Sequence, residues 1–161
     1  MTLAALAPRR GERLWDIGAG SGSVAIEWML ADPSLSAIAI EADPSRAKTI
    51  VDNAVTLGVP GLSVKTGRAP KVLETLPPPN AIFIGGGGTQ DGVVDAAIDA
   101  LAPGGRIVAN AVTLEMEAVL TLLHQQMGGS LTRIQVSRAE ALGTMSGWRP
   151  AMPITQWVWV K

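Results

Sequence analysis

The sequence contains no cysteine, no tyrosine and a single histidine. Without cysteine there is no disulfide framework, no thiolate metal site and no sulfur nucleophile. Without tyrosine, and with one imidazole, many acid–base and nucleophile arrangements cannot be built. That histidine, His124, falls in a helical pattern beside Leu120, Leu123 and Met127. It is read as a structural residue at the edge of a packed face. No group of His, Asp and Glu has the spacing of metal ligands, so no metal site is expected.

Long apolar runs are missing as well. None approaches the roughly 20 residues that a membrane-spanning helix requires. No basic stretch leads into an apolar one at the start, so no signal peptide is read. The expectation is a cytoplasmic protein with no membrane partner. Charge of one sign is also lacking, since 13 basic residues stand against 14 acidic ones. Arg9, Arg10 and Arg13 form the one local basic cluster, well short of the stripe that nucleic-acid binding demands. No nucleic-acid partner is expected. A chain of 161 residues suits one domain with one substantial core.

Short apolar runs alternate with helical patterns almost from the first residue. Strands are expected at residues 14–17, 37–40, 62–65, 81–84, 106–110, 131–136 and 154–160. Helices are expected at 23–30, 44–57, 92–101 and 114–127, with a short one around 70–76. Asp43 is placed to cap the helix that Pro44 opens. Residues 2–6 read as the tail of a further helix, and the abrupt start reads as that of a fragment of a longer protein. Residues 137–153 read as a long loop, a length that is usually functional or disordered. Strands alternating with helices imply an α/β fold with a doubly wound, mostly parallel seven-stranded sheet. The last two strands, with no helix between them, add one C-terminal antiparallel member.

The turn after the first strand reads Asp16-Ile17-Gly18-Ala19-Gly20-Ser21-Gly22. Glycines allow a sharp turn and a close approach to a ligand, which in open α/β sheets binds beyond the carboxyl ends of the strands. Glu41, ending the second strand, can accept hydrogen bonds from both hydroxyls of an adenosine ribose. Dinucleotides and S-adenosylmethionine are both candidates for such a site. The dinucleotide fingerprint needs a sixth-place glycine, and here that place is Ser23. Asp16 before the glycines and the antiparallel ending favour S-adenosylmethionine.

The string from Leu14 through Glu41 resembles the first two motifs of class I methyltransferases, whose sheet is Rossmann-like. Further motifs narrow the resemblance: Gly67-Arg68-Ala69-Pro70, Gly85-Gly86-Gly87, residues 101–108 before Asn110-Ala111, and Gly143-Thr144-Met145. Together they resemble the decarboxylating precorrin methyltransferases of cobalamin biosynthesis, and the chain is similar to the C-terminal domain of their two-domain members. The resemblance implies methylation of carbon 15 of the macrocycle with loss of carbon dioxide from the ring C acetate. It also implies an N-terminal carbon-5 methyltransferase domain in the full-length chain, and assembly as a homotetramer to which Trp157-Val158-Trp159 could contribute. The family's cofactor turn carries onto residues 18–22, its ribose acid onto Glu41 and its adenine contact onto Ala69. Asp16 and Gly85 join that set. Where many relatives have Asp, this chain has Arg68, which cannot accept a bond from the adenine amino group. Arg68 is therefore expected to flank the adenine or face a substrate carboxylate. A cofactor-binding threonine of some members has no match, Thr2 being too near the turn.

Methyl transfer from a sulfonium requires chiefly that nucleophile and methyl be aligned at roughly 3–3.5 Å with water excluded. An electron-rich meso carbon is its own nucleophile, and the conjugated macrocycle can take up the electrons of decarboxylation. A site poor in acids and bases suits this chemistry, and no catalytic residue is singled out. The macrocycle is broad and apolar with a fringe of carboxylates. Residues 85–88 could let it lie close to the backbone, Met145, Trp148 and Met152 could cover it, and Arg138 and Arg149 could clamp its carboxylates. Gly86, Gly87 and Asn110 complete the expected substrate contacts. Two other readings stay open: a class I methyltransferase for tRNA or a small metabolite, and a silent cofactor-binding assembly domain.

Overall fold

The computed structural model describes residues 1–161. Helix α1 (Thr2–Leu6) leads into strand β1 (Arg13–Ile17), followed by α2 (Ser23–Ala31), β2 (Ser36–Glu41), α3 (Pro44–Thr56) and β3 (Ser63–Thr66). A 3-10 turn (Lys71–Thr75) precedes β4 (Ala81–Ile84), α4 (Val93–Ala100), β5 (Arg106–Ala111) and α5 (Leu114–Met127). Four strands end the chain: β6 (Ser130–Ile134), β7 (Ser137–Leu142), β8 (Met145–Pro150) and β9 (Ile154–Val160). Asp43 caps α3 by accepting from the amides of Ser45 and Arg46.

Seven strands form one sheet in the order β3-β2-β1-β4-β5-β9-β6. Strand β9 is antiparallel to both its neighbours, and the other pairings are parallel. β1 shows why its sequence does not alternate between apolar and polar residues. Leu14 and Asp16 face one side and Trp15 and Ile17 the other, and all four are buried. A strand covered on both faces has no polar side to alternate with. The Leu14 face, with Ala39, Phe83 and Val108, is covered by Leu6, Trp28 and Ile50 from α1, α2 and α3. The Trp15 face, with Ile40 and Ile82, is covered by Val93 and Ala97 of α4 and Leu120 of α5. The direction of winding reverses between β1 and β4, which opens a crevice at their carboxyl ends.

The opposite end is tied by a buried charge. Arg106, at the start of β5, bonds both carboxylate oxygens of Glu12 at 2.9 and 2.6 Å. It also donates to the carbonyls of Leu6 and Ala7 and lies over the Trp28 ring. One guanidinium thereby fastens α1 and the turn before β1 to the centre of the sheet.

Residues 137–150 differ from the expected loop: β7 and β8 pair as an antiparallel hairpin, with Gly143 at its turn at φ +62°. The hairpin forms a two-stranded sheet of its own, and all but one of its twelve strand residues are exposed. With no buried face there was no apolar alternation from which to read strands. Trp157, expected to serve an interface, is fully buried, and its indole N–H donates to the Gly128 carbonyl. No helix is long and apolar enough to cross a membrane.

Candidate functional site

At the crevice, the amides of Gly18 and Ala19 both donate to the carbonyl of Ile40, at 3.0 and 3.1 Å. These bonds fasten the turn after β1 to β2. Gly18 has φ +71°, and a β-carbon there would lie 2.6 Å from the Gly86 carbonyl oxygen. Glycine is required at this point because the loops after β1 and β4 meet backbone to backbone. At Gly22 a β-carbon would strike the side chain of Ile50, so that glycine lets α2 and α3 close together.

Glu41 ends β2 almost fully buried. Its Oε2 accepts from the Gly20 amide at 2.9 Å, and its Oε1 from the Asp43 amide at 3.0 Å. Arg46, an exposed side chain in the first turn of α3, lies 3.2 Å from Oε1. Of about four lone-pair positions on a carboxylate, one on Oε2 stays free, and the Arg46 position can be yielded to a ligand hydroxyl.

Asp16 lies behind the turn. Its Oδ2 accepts from the Ala25 amide at 3.0 Å, while the buried Oδ1 has no partner. Burial pushes its pKa up to about 7, against the Ala25 hydrogen bond and assisted by the charge of Glu41.

A cleft of about 400 Å³ opens over these elements. It brings together Gly18, Gly20, Glu41, Arg68, Ala69, Gly85, Gly86 and Gly87, together with Arg46 and Gln90, which sequence reasoning missed. Nothing in the sequence marks Gln90. Arg46 lies five residues beyond Glu41, within reach across the start of a helix, and that spacing was a readable signal. Asp16, Ala19, Ser21 and Gly22 do not line the cleft. They shape it from behind, Ser21 through a carbonyl that accepts from the Asn53 side chain.

A second cavity of about 290 Å³ shares Gly85, Gly86 and Gly87 with the first and reaches Asn110 and Thr113. Thr2, unmatched to any cofactor contact, accepts here from Asn110 at 3.0 Å. Arg138, Met145, Trp148 and Arg149 line neither cavity. They stand on the hairpin, where Arg138 is opposite Arg149, and Arg149 pairs with Glu140 at 3.0 Å. Met152 follows it, also exposed.

The strand order, the glycine turn after β1 and the acid after β2 define a class I methyltransferase domain. The chain belongs to the precorrin methyltransferase domain family, whose model matches residues 1–161. It is 63% identical over its whole length to a precorrin-6Y C(5,15)-methyltransferase (decarboxylating) from Sinorhizobium sp, covering 39% of that protein. It is 31% identical to the cobalt-precorrin-6B C(15)-methyltransferase (decarboxylating) of Salmonella typhi, over 96% of this chain and 81% of that one. The crystal structure of the C-terminal domain of precorrin-6Y C5,15-methyltransferase from Rhodobacter capsulatus superimposes with a TM-score of 0.92 at 52% identity, covering 99% of this chain and 86% of the other. The chain spans about two fifths of the length of the C(5,15) relatives it matches.

The cofactor of this class is S-adenosylmethionine, and the residues present fit it. Gly20 lines the cleft with open space where a β-carbon would stand, and Glu41 presents a free lone pair at the strand end.

Proposed function

We propose that this domain methylates carbon 15 of a precorrin macrocycle and removes the ring C acetate carboxylate as carbon dioxide, a step of cobalamin biosynthesis. One observation carries the reading: the cofactor cleft and a second cavity meet at Gly85, Gly86 and Gly87, in a chain of the precorrin methyltransferase family. S-adenosylmethionine supplies a methyl group already activated on a sulfonium. Glu41 accepts the ribose hydroxyls, Ala69 and Arg68 flank the adenine, and Gly18, Gly20 and Gly85 admit the cofactor to the backbone. Asp16, Ala19, Ser21 and Gly22 hold that turn in shape. Gly86, Gly87 and Asn110 bear on the substrate. No side chain need carry a proton to the reacting carbon, because the macrocycle is the nucleophile. The protein's task is to align the two groups and exclude water.

We also propose that the protein assembles as a homotetramer, and the hairpin supports association. A lone two-stranded hairpin is marginally stable in water. Here it exposes Leu142, Met145 and Trp148, the last 77% exposed, and apolar patches of this kind mark association surfaces. For Arg138, Met145, Trp148 and Arg149 the placement favours an assembly role over substrate contact within the same chain. The full-length protein would carry a separate domain for carbon 5, and the cytoplasm is the expected compartment.

The test is mass spectrometry of a precorrin already methylated at carbon 5, incubated with this protein and S-adenosylmethionine. Gain of one methyl with loss of carbon dioxide is expected. Methyl gain alone would remove the decarboxylase half, and no change in a cofactor-binding preparation would overturn the substrate.

A further inference from the structure

The second cavity has an unusual lining. No Asp, Glu, Lys, Arg or His contributes to it. It presents neutral donors instead. The amides of Gly86, Gly87, Gly88 and Thr89 have no acceptor within the protein; Gly87 and Thr89 are exposed to solvent, Gly86 is half-buried, and Gly88 is the buried one. Buried N–H groups without a partner are rare in folded proteins. The Thr113 hydroxyl oxygen accepts from the Met116 amide at 3.3 Å, which leaves its proton to donate into the cavity.

Asn110 completes the set, held in one orientation. Its Oδ1 accepts from Gln156 Nε2 at 2.9 Å, and its Nδ2 gives one hydrogen to Thr2 Oγ1 at 3.0 Å. These two bonds leave the second N–H of Nδ2 without a partner in the protein, on a residue that lines the cavity. Met116 and Val112 supply an apolar wall beside these donors.

We propose that this cavity receives a carboxylate of the substrate, the acetate lost in the reaction proposed above, on which the assignment rests. Peptide N–H groups, a hydroxyl and a carboxamide bind an anion without a cation. That distinction bears on the chemistry. A guanidinium pair would hold negative charge on the carboxylate and oppose its departure. Neutral donors orient the group while leaving its charge free to move. When the bond from methylene to carboxylate breaks, its electron pair passes into the conjugated ring. Neutral carbon dioxide leaves, and the methylene takes a proton from solvent to become a methyl group. Asn110 is then a substrate contact, and Gln156 and Thr2 are positioning residues acting through it.

The probe is acetate, titrated into the protein loaded with S-adenosylhomocysteine while the backbone amides are followed by NMR. Acetate should shift Gly86 to Thr89, and chloride at equal ionic strength should not. Asn110→Asp puts a like charge in the cavity and should weaken acetate at least tenfold without changing S-adenosylhomocysteine affinity. In turnover the same variant should raise KM for the precorrin. Gly88→Ala, which drives the flexible end of Met116 from its place, should do likewise. Amides that ignore acetate would overturn the proposal. So would amides that respond to S-adenosylhomocysteine but not to 5′-methylthioadenosine and are then blocked to acetate, since the cavity would then hold the cofactor's own carboxylate. An acetate response in a protein that releases no carbon dioxide from any precorrin would keep the carboxylate site and sink the reaction.

Discussion

Gly18 and Gly86 meet without side chains between them: a β-carbon on Gly18 would stand 2.6 Å from the carbonyl oxygen and 2.7 Å from the amide nitrogen of Gly86. This contact between the loops after β1 and β4 lines the cleft. Gly18→Ala therefore meets both the clash and a positive φ, which costs on the order of 1–3 kcal/mol. The expected result is a lower melting temperature and at least a tenfold loss of S-adenosylhomocysteine affinity by calorimetry. Wild-type affinity in the variant would show that the two loops can part freely.

Glu41→Gln removes the charge that a ribose diol would meet. Hydrogen bonds to a charged group contribute about 1.5–3 kcal/mol each. Affinity for S-adenosylmethionine should accordingly fall by roughly ten- to a hundredfold. Adenine alone, which lacks the ribose, should bind both forms equally; a matching loss for adenine would place Glu41 elsewhere in the cofactor's embrace.

Asp16 makes stability depend on pH in an uncommon direction. Its folded pKa is raised to about 7 from 3.8, chiefly by burial. Its contribution is therefore fully present below pH 4 and is lost as pH rises through 7, by roughly 4 kcal/mol at most. Asp16→Asn keeps an acceptor for the Ala25 amide and does not titrate. Urea midpoints of the two proteins should diverge in the variant's favour between pH 4 and 7.5. A constant difference would mean that the carboxylate is not destabilised by its burial.

The Arg106–Glu12 pair should be costly to break from one side. Replacing Arg106 by Met leaves Glu12 without its partner, and the loss is expected at about 3–5 kcal/mol. Burial alone would raise the Glu12 pKa, but the hydrogen bond and charge of Arg106 and the Arg9 amide hold it below 4.5. The wild type should thus lose stability as pH falls through that depressed value, and the variant should lack that acid limb. The check is denaturant unfolding of both proteins at pH 3 to 6.

Trp148→Glu tests the assembly reading. The side chain makes no part of either core, so the variant should fold with an unchanged melting profile at low concentration. Sedimentation should then report a smaller species than the wild type. If the two sediment alike, the hairpin is not the association surface.

Much of the cleft was legible because its residues are tied to local backbone requirements. Gly18 and Glu41 end parallel strands, and a strand end in a doubly wound sheet is found from the apolar run before it. Asp16 was read into the same constellation, yet it turns to the α2 side of β1 and bonds the Ala25 amide. The strand's alternation set that direction, which the motif by itself does not express. Arg46 and Gln90 were missed because each reaches the cleft across a loop or helix turn rather than by standing at a strand end.

The hairpin marks the limit in the other direction. Met145, Trp148, Arg138 and Arg149 were grouped with the substrate by chemistry, since nothing in residues 137–153 says where a ladder forms. Their pairing was decided by cross-strand hydrogen bonds, which have no side-chain period to announce them when both faces are exposed.

The sequence alone determined the order of elements as far as α5, the doubly wound sheet and the glycine turn after β1, because each follows from short-range propensity and the burial of strands on both faces. Only the tertiary structure decided that Asn110, Gln156 and Thr2 bond to one another beside a cavity that adjoins the cleft of Gly18 and Glu41. Those residues come from β5, β9 and α1, as many as 154 positions apart. Their meeting depends on which strands become neighbours: β9 lies in the sheet between β5 and β6, with Trp157 fully buried.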